Sequence, residues 1–347
     1  KLKKLIALGL ATVMSASMLV GCGAKSDSNA STDNGDKVFK VGMITDTGGV
    51  NDESFNQSTW KGFQDAQEKF GKDKLEIKYL ESKQDADYVQ NIDTFADEEM
   101  DLIIGVGYQL KDSIEESAKN YPEQKFAILD ETYDTIQENV IPVVFKEEES
   151  AYLVGVMAAK MSKTNKVGFI GGLPAPSVVR HQYGYKYGVT NTNKDTQILE
   201  QYVNSFTDQA KGKAIANQMY SNGADIVFTC GGDVGTGAIE AAKENGKYAI
   251  GVDRDQSDLA PENVLTSAIK RVDAGVFETV KSYVNGTFEG GTTTTYGLEE
   301  NAVGVPDTTK NLVSQKILDL VEETITKLKN KEITVPKNKE EYNAMVK

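Results

Sequence analysis

From residue 38 onward the chain alternates short apolar runs with longer amphipathic stretches. The runs predict strands at Val38–Thr45, Leu75–Leu80, Asp101–Gly107, Lys125–Asp130 and Ile141–Phe145. A second series follows at Lys166–Gly171, Gln197–Val203, Asp225–Cys230, Lys247–Asp253 and Val264–Ile269. Helical spacing fills the intervals; between Glu53 and Phe70, for example, Phe55, Thr59, Phe63, Ala66 and Phe70 recur on one face, with Asn51 or Asp52 placed to cap it. Strands alternating with helices specify parallel α/β sheets, and two series specify two lobes. Open sheets of this kind bind ligands beyond the carboxyl ends of their strands. That rule nominates Asp46, Tyr108, Asp130, Phe206, Gly231, Gly232 and Asp253, a set suited to a small polar solute held by carboxylates and aromatic faces.

The first residues follow another pattern. Lys1, Lys3 and Lys4 precede the apolar stretch Leu5–Val20, which ends in Leu19-Val20-Gly21-Cys22. This is the layout of a secretory signal over residues 1–21, and its end resembles the bacterial lipobox, so Cys22 is expected to carry a diacylglycerol anchor on the extracytoplasmic face of the membrane. After Cys22, residues 23–36 contain no large apolar side chain, and 22–37 read as a flexible tether. With Cys22 acylated, Cys230 has no disulfide partner, and stability must come from packing.

Charge narrows the ligand. The formal net charge is −14, or −17 without the three lysines of the expected signal. Nucleic acid, which requires a basic face, is excluded as a partner, and a bare phosphate ligand is disfavoured. No metal or other cofactor is expected. Asp253, Asp255 and Asp258 cluster, but Asp258 and Val264 stand where a calcium loop needs glycine and glutamate. Gly231–Gly237 lacks the Gly-Lys-Ser/Thr ending of a nucleotide loop. The lone His181 has no second histidine for a metal site and reads as structural or surface.

Val41-Gly42-Met43-Ile44-Thr45-Asp46 followed by Gly48-Gly49-Val50-Asn51-Asp52-Glu53-Ser54-Phe55-Asn56 resembles the basic membrane protein family of nucleoside-binding lipoproteins. Matching stretches recur at Asp101–Gly107, Ser205–Asp208, Gly251–Gln256 and Thr266–Lys270. The resemblance implies a type I periplasmic-binding-protein fold, with two Rossmann-like lobes joined by three crossovers and a ligand cleft between them. It implies that Phe55 and Phe206 sandwich a base, that Asp46 and Asp130 take its polar edge, and that Asp253 and Lys270 hold ribose hydroxyls. Asn51, Asp52, Asn56, Tyr108 and Gly232 complete the expected ligand shell. The lobes are expected at 38–145 plus 256–290 and at 146–255 plus 291–347, with hinges near Val144–Glu147, Arg254–Asp258 and Asn285–Gly291. The implied function is a monomeric, non-enzymatic solute-binding lipoprotein that delivers purine nucleosides (inosine, guanosine, adenosine) to an ABC transporter permease. A sugar or signalling solute, or a nucleoside hydrolase activity, are the alternatives on the same residues.

Overall fold

The computed structural model describes residues 37–346. The expected signal peptide, Cys22 and the tether up to residue 36 lie outside them. In chain order the elements are β1 (Phe39–Ile44), α1 (Phe55–Phe70), β2 (Leu75–Leu80), α2 (Asp87–Asp97), β3 (Leu102–Val106), α3 (Lys111–Asn120), β4 (Lys125–Leu129) and β5 (Val140–Phe145). There follow α4 (Glu147–Met161), β6 (Lys166–Gly171), α5 (Pro176–Thr192), β7 (Gln197–Tyr202), α6 (Gln209–Ser221), β8 (Ile226–Cys230), α7 (Asp233–Asn245), β9 (Tyr248–Asp253) and β10 (Val264–Lys270). The chain closes with α8 (Val272–Val284), β11 (Thr294–Tyr296), β12 (Val303–Gly304), α9 (Gln315–Lys329) and α10 (Lys339–Met345).

The strands form two sheets with the same internal order: β11-β5-β4-β3-β1-β2 and β12-β10-β9-β8-β6-β7. This is the two-lobed α/β fold that the alternation predicts. The ten apolar runs all form strands with ends shifted by no more than one residue. They are legible because central parallel strands, covered on both faces, are apolar throughout; β3 and β8 are buried at every position.

Sheet pairing corrects the lobe boundaries. β10 runs parallel to β9 in the second sheet, so 264–270 does not belong with the first lobe. Conversely β11 pairs with β5 in the first sheet, although residues 291–347 were expected in the second lobe. The chain therefore crosses between sheets at 145–147, 270–272 and 297–302. Of the expected hinges only Val144–Glu147 coincides with a crossing: Arg254–Asp258 joins β9 to β10 within one sheet, and Asn285–Gly291 leads from α8 into β11. The error has a physical source, since β11 and β12 are edge strands of three and two residues, too short to show alternation.

Two local features set the stage for the cleft. Helix α1 begins at Phe55, not Glu53, with Ser54 in the cap position. The Asp52 carboxylate nevertheless accepts from the amides of Ser54, Asn56 and Gln57 at 2.9–3.0 Å, satisfying donors that a helix start leaves open. On the other side, α4 and α5 pack backbone to backbone: a Cβ at Gly184 would lie 2.4 Å from the Glu148 carbonyl, and one at Gly188 would lie 2.2 Å from that of Tyr152. This contact brings the first turn of α4 against the face of α5 that carries Arg180 and His181.

Candidate functional site

The carboxyl ends of both sheets face one narrow slot. Its wall is made by the segments after β1 (Asp46, Gly48), β3 (Gly107, Tyr108), β4 (Asp130), β8 (Cys230, Gly231, Gly232), β9 (Asp253) and β10 (Lys270), with the first turns of α1 and α5 and with Phe206. The free volume of the slot is about 60 Å³, so the lining residues of the two lobes stand close together around it. Ten of the eleven expected ligand residues line it: Asp46, Asp52, Phe55, Asn56, Tyr108, Asp130, Phe206, Gly232, Asp253 and Lys270. Asn51 does not. It is exposed and borders a wider neighbouring groove of about 1080 Å³, which is open to solvent and shares only Asp253 and Lys270 with the slot.

In the first lobe, three side chains lock one another. Asn56, 1 % exposed, donates through Nδ2 to Asp46 Oδ1 at 2.8 Å and to Asp52 Oδ2 at 3.0 Å. Two flanking carboxylates fix which end of the amide carries the nitrogen, because only a donor can sit between them. The Asn56 Oδ1 atom is then left buried and without a donor. Asp46 also holds the Gly48 amide at 2.8 Å, shaping the loop toward α1. Burial pushes the Asp46 carboxyl up to about 6, against the Asn56 and Gly48 hydrogen bonds, and burial likewise raises Asp52.

Between the lobes sits a buried ammonium. Lys270 Nζ, on a residue 3 % exposed, lies 2.6 Å from Asp130 Oδ2, 3.5 Å from Glu147 Oε1 and 3.8 Å from Asp253 Oδ1. Arg180 closes the cluster through Nε at 2.6 Å from Glu147 Oε2. Burial opposes charge on Lys270, but the three carboxylates override it and raise its pKa. Burial also works against Glu147, yet Arg180 and Lys270 hold it down at about 2. Asp130 goes the other way: burial and the neighbouring Glu147 outweigh Lys270 and push it up to about 6. Asp130 and Asp253 occupy equivalent places at the ends of β4 and β9, and both adopt left-handed backbone, with φ of 66° and 67°. That conformation, which aspartate tolerates better than most residues, turns each carboxylate back into the slot.

Aromatic faces complete the lining. The Phe55 ring centroid lies 4.7 Å from Lys270 Nζ. Phe206 sits in a loop tied by the Ser205 hydroxyl, which accepts from the amides of Thr207 and Asp208, before Asp208 caps α6. Its ring lies across the end of β6, where a Cβ on Gly172 would come within 2.4 Å of Cδ1. Gly232, at φ 57° and ψ −127°, starts α7 in a conformation that favours glycine and lets the backbone approach the slot. Both rings are half-buried, as expected of side chains that face a cleft.

Several residues escaped the sequence reading. Ser54 Oγ donates to Asp253 Oδ2 at 2.5 Å, and Arg254 donates from Nε to the Glu53 carbonyl at 2.9 Å while its Nη2 pairs with the Glu53 carboxylate at 2.5 Å. These bonds clasp the start of α1 to the end of β9 across the cleft. Arg180 lies a turn inside α5 and carries no strand-end signal, whereas Glu147 lies two residues past the end of β5, where the strand-end rule extended to that strand nominates it. His181, read as structural or surface, is 1 % exposed and lines the slot. Applying the strand-end rule to β6 as well would have nominated the start of α5, where Pro176 marks the first turn.

The site is rich in acceptors. Asn56 Oδ1, Asp130 Oδ1 and His181 Nε2 are all buried without a hydrogen-bond partner among the described residues. Such a lining suits a neutral ligand with many N–H and O–H groups and repels anions.

Comparison with known proteins gives the same direction. The profile of the Bmp family, described as ABC transporter substrate-binding protein PnrA-like, matches residues 39–339. The chain is 42% identical to a CD4+ T-cell-stimulating antigen of Listeria innocua, covering 92% of this chain and 95% of the relative. It is 36% identical to the ABC transporter nucleoside-binding protein BmpA of Lactococcus lactis, over 93% of this chain and 98% of that protein. Among solved structures, an ABC transporter solute-binding protein from Aeropyrum pernix superposes with a TM-score of 0.81 at 28% identity, covering 89% of this chain and 96% of the other.

Proposed function

Since the chain belongs to the family of PnrA-like ABC transporter substrate-binding proteins, we propose that it captures purine nucleosides between its lobes and delivers them to an ABC permease for uptake. The observation that carries this reading is the slot bordered by Phe55 and Phe206, whose lining residues Asn56, Asp130 and His181 hold unpartnered acceptors. A planar, neutral base offers faces to the rings, and its N–H groups with the ribose hydroxyls offer donors to the carboxylates. Stacking contributes about 1–3 kcal/mol per base. Each buried acceptor that gains a donor contributes about 0.5–1.5 kcal/mol more. A pyranose can also lie between two rings, so the preference for a nucleoside over a sugar rests on the family and on the relative named a nucleoside-binding protein.

Calorimetric titration tests the reading. Inosine, guanosine and adenosine should bind one per chain, with cytidine, ribose and galactose much weaker or silent; a sugar that binds more tightly than every nucleoside would overturn it. The affinity should also depend on pH. Asp46 and Asp130 are both raised to about 6, so below that value each carries a proton that a ligand N–H or O–H must displace. Affinity is therefore expected to fall as pH is lowered through about 6, with proton release on binding.

The same reading places the protein outside the cytoplasmic membrane, held by a lipid on Cys22, on the strength of Leu19-Val20-Gly21-Cys22 behind a basic start. Cys22→Ser should move the protein from the membrane fraction to the soluble one. Retention of the variant in washed membranes would remove the anchor.

A further inference from the structure

The one histidine of the chain lies within the slot, although nothing in the overall function requires a histidine there. His181 Nδ1 is 2.9 Å from the carbonyl oxygen of Ser177, one turn earlier in α5. A carbonyl can only accept, so Nδ1 must carry the proton. The ring is 1 % exposed and shares its neighbourhood with the Lys270 ammonium and the Arg180 guanidinium, opposed by Glu147. Burial first, and Lys270 second, hold it down at about 3, so it is neutral at any physiological pH. A neutral ring protonated on Nδ1 has a lone pair on Nε2, and that atom is buried with no partner among the described residues. A phenylalanine would fill the same place beside Phe228, whose ring centroid is 6.0 Å away, without the cost of burying a polar atom.

We propose that His181 is a ligand-binding residue that accepts, through Nε2, a hydrogen bond from an O–H or N–H of the bound nucleoside. The inference rests on the proposed nucleoside function and adds a requirement to it: the ligand must present a donor at the α5 side of the slot, beside Lys270 and Asp130. His181 thereby selects among nucleosides by their donor pattern. A ligand lacking that donor leaves Nε2 buried and unpaired, and discrimination of this kind is stronger than that from apolar fit alone.

Because the chain has a single histidine, the imidazole nitrogens can be read directly by ¹⁵N NMR on protein prepared without a histidine tag. The ligand-free spectrum should show one protonated and one pyridine-type nitrogen that do not titrate between about pH 5 and 8. Saturating inosine should move the pyridine-type resonance upfield, as hydrogen-bond acceptance requires. In parallel, His181→Phe should weaken inosine binding about three- to tenfold, and His181→Gln, whose Oε1 can accept, should recover part of the loss. An unmoved Nε2 resonance in the inosine complex, or unchanged affinity in both variants, would overturn the role of His181 while leaving the nucleoside reading intact. Failure of the unaltered protein to bind any nucleoside would remove both.

Discussion

Replacing Lys270 with methionine is expected to destabilise the folded protein by about 3–5 kcal/mol, the cost typical of removing one partner from a buried ion cluster. The side chain is nearly the same length, so packing changes little. The charge balance changes completely: Asp130, Glu147 and Asp253 lose the ammonium that lies within 2.6–3.8 Å of all three. Arg180 still pairs with Glu147, but Asp130 is left with burial and the nearby Glu147 carboxylate, and Asp253 keeps only the Ser54 hydroxyl against burial and the charges of Asp52 and Glu147. The carboxyls of Asp130 and Asp253, already raised by burial, should rise further.

The pH dependence gives this prediction its sign. A carboxyl whose folded pKa lies above its unfolded value near 3.8 stabilises the fold fully below that unfolded value. The contribution is lost as pH climbs through the folded pKa. The deficit of Lys270→Met relative to the unaltered protein should therefore be small near pH 4 and grow toward neutrality. Denaturant melts at pH 5 and pH 8 check it. A loss below about 1 kcal/mol that does not vary with pH would show that the cluster is solvated and that Lys270 does not hold the cleft together.

The second large effect concerns the rings. Phe55→Ala and Phe206→Ala each remove one face of the slot and should weaken purine nucleoside binding by about 1–3 kcal/mol, or on the order of ten- to a hundredfold. Stability should change much less, because both rings are only half-buried, whereas Phe63 on the same helix as Phe55 is fully enclosed. Phe63→Ala provides the contrast: about 3–5 kcal/mol of stability lost, with ligand affinity affected only through folding. Thermal melting and titration on the three variants separate the roles. Normal affinity with strongly lowered melting temperatures for Phe55→Ala and Phe206→Ala would assign both rings to packing.

Much of this architecture is legible from residue order alone, and the illegible parts share a cause. Central strands such as β3 and β8 declare themselves because both faces are covered, and the strand-end rule then carries Asp46, Asp130, Phe206 and Asp253 to one cleft. Asn51 misled because it adjoins Asp52 in the most distinctive stretch, while a single step along the loop turns its side chain out to the open groove. The positions of β10 and β11 depend on which edge each strand joins, a long-range choice that local patterns do not encode. Arg180 and His181 are hidden for a related reason. Their meaning comes from the close approach of α4 and α5 over Gly184 and Gly188, which places helix residues where strand ends would be sought.

The central claim is that an acceptor-lined slot between the lobes takes a neutral nucleoside. Its most direct test is a calorimetric titration with inosine beside inosine 5′-phosphate at neutral pH. The buried carboxylates of Asp46, Asp52, Asp130 and Asp253 predict one strong site for inosine, with the phosphate ester weaker by at least about tenfold because like charge meets like in a poorly solvated space. Equal or tighter binding of the phosphate ester, or no binding of inosine, would contradict the account.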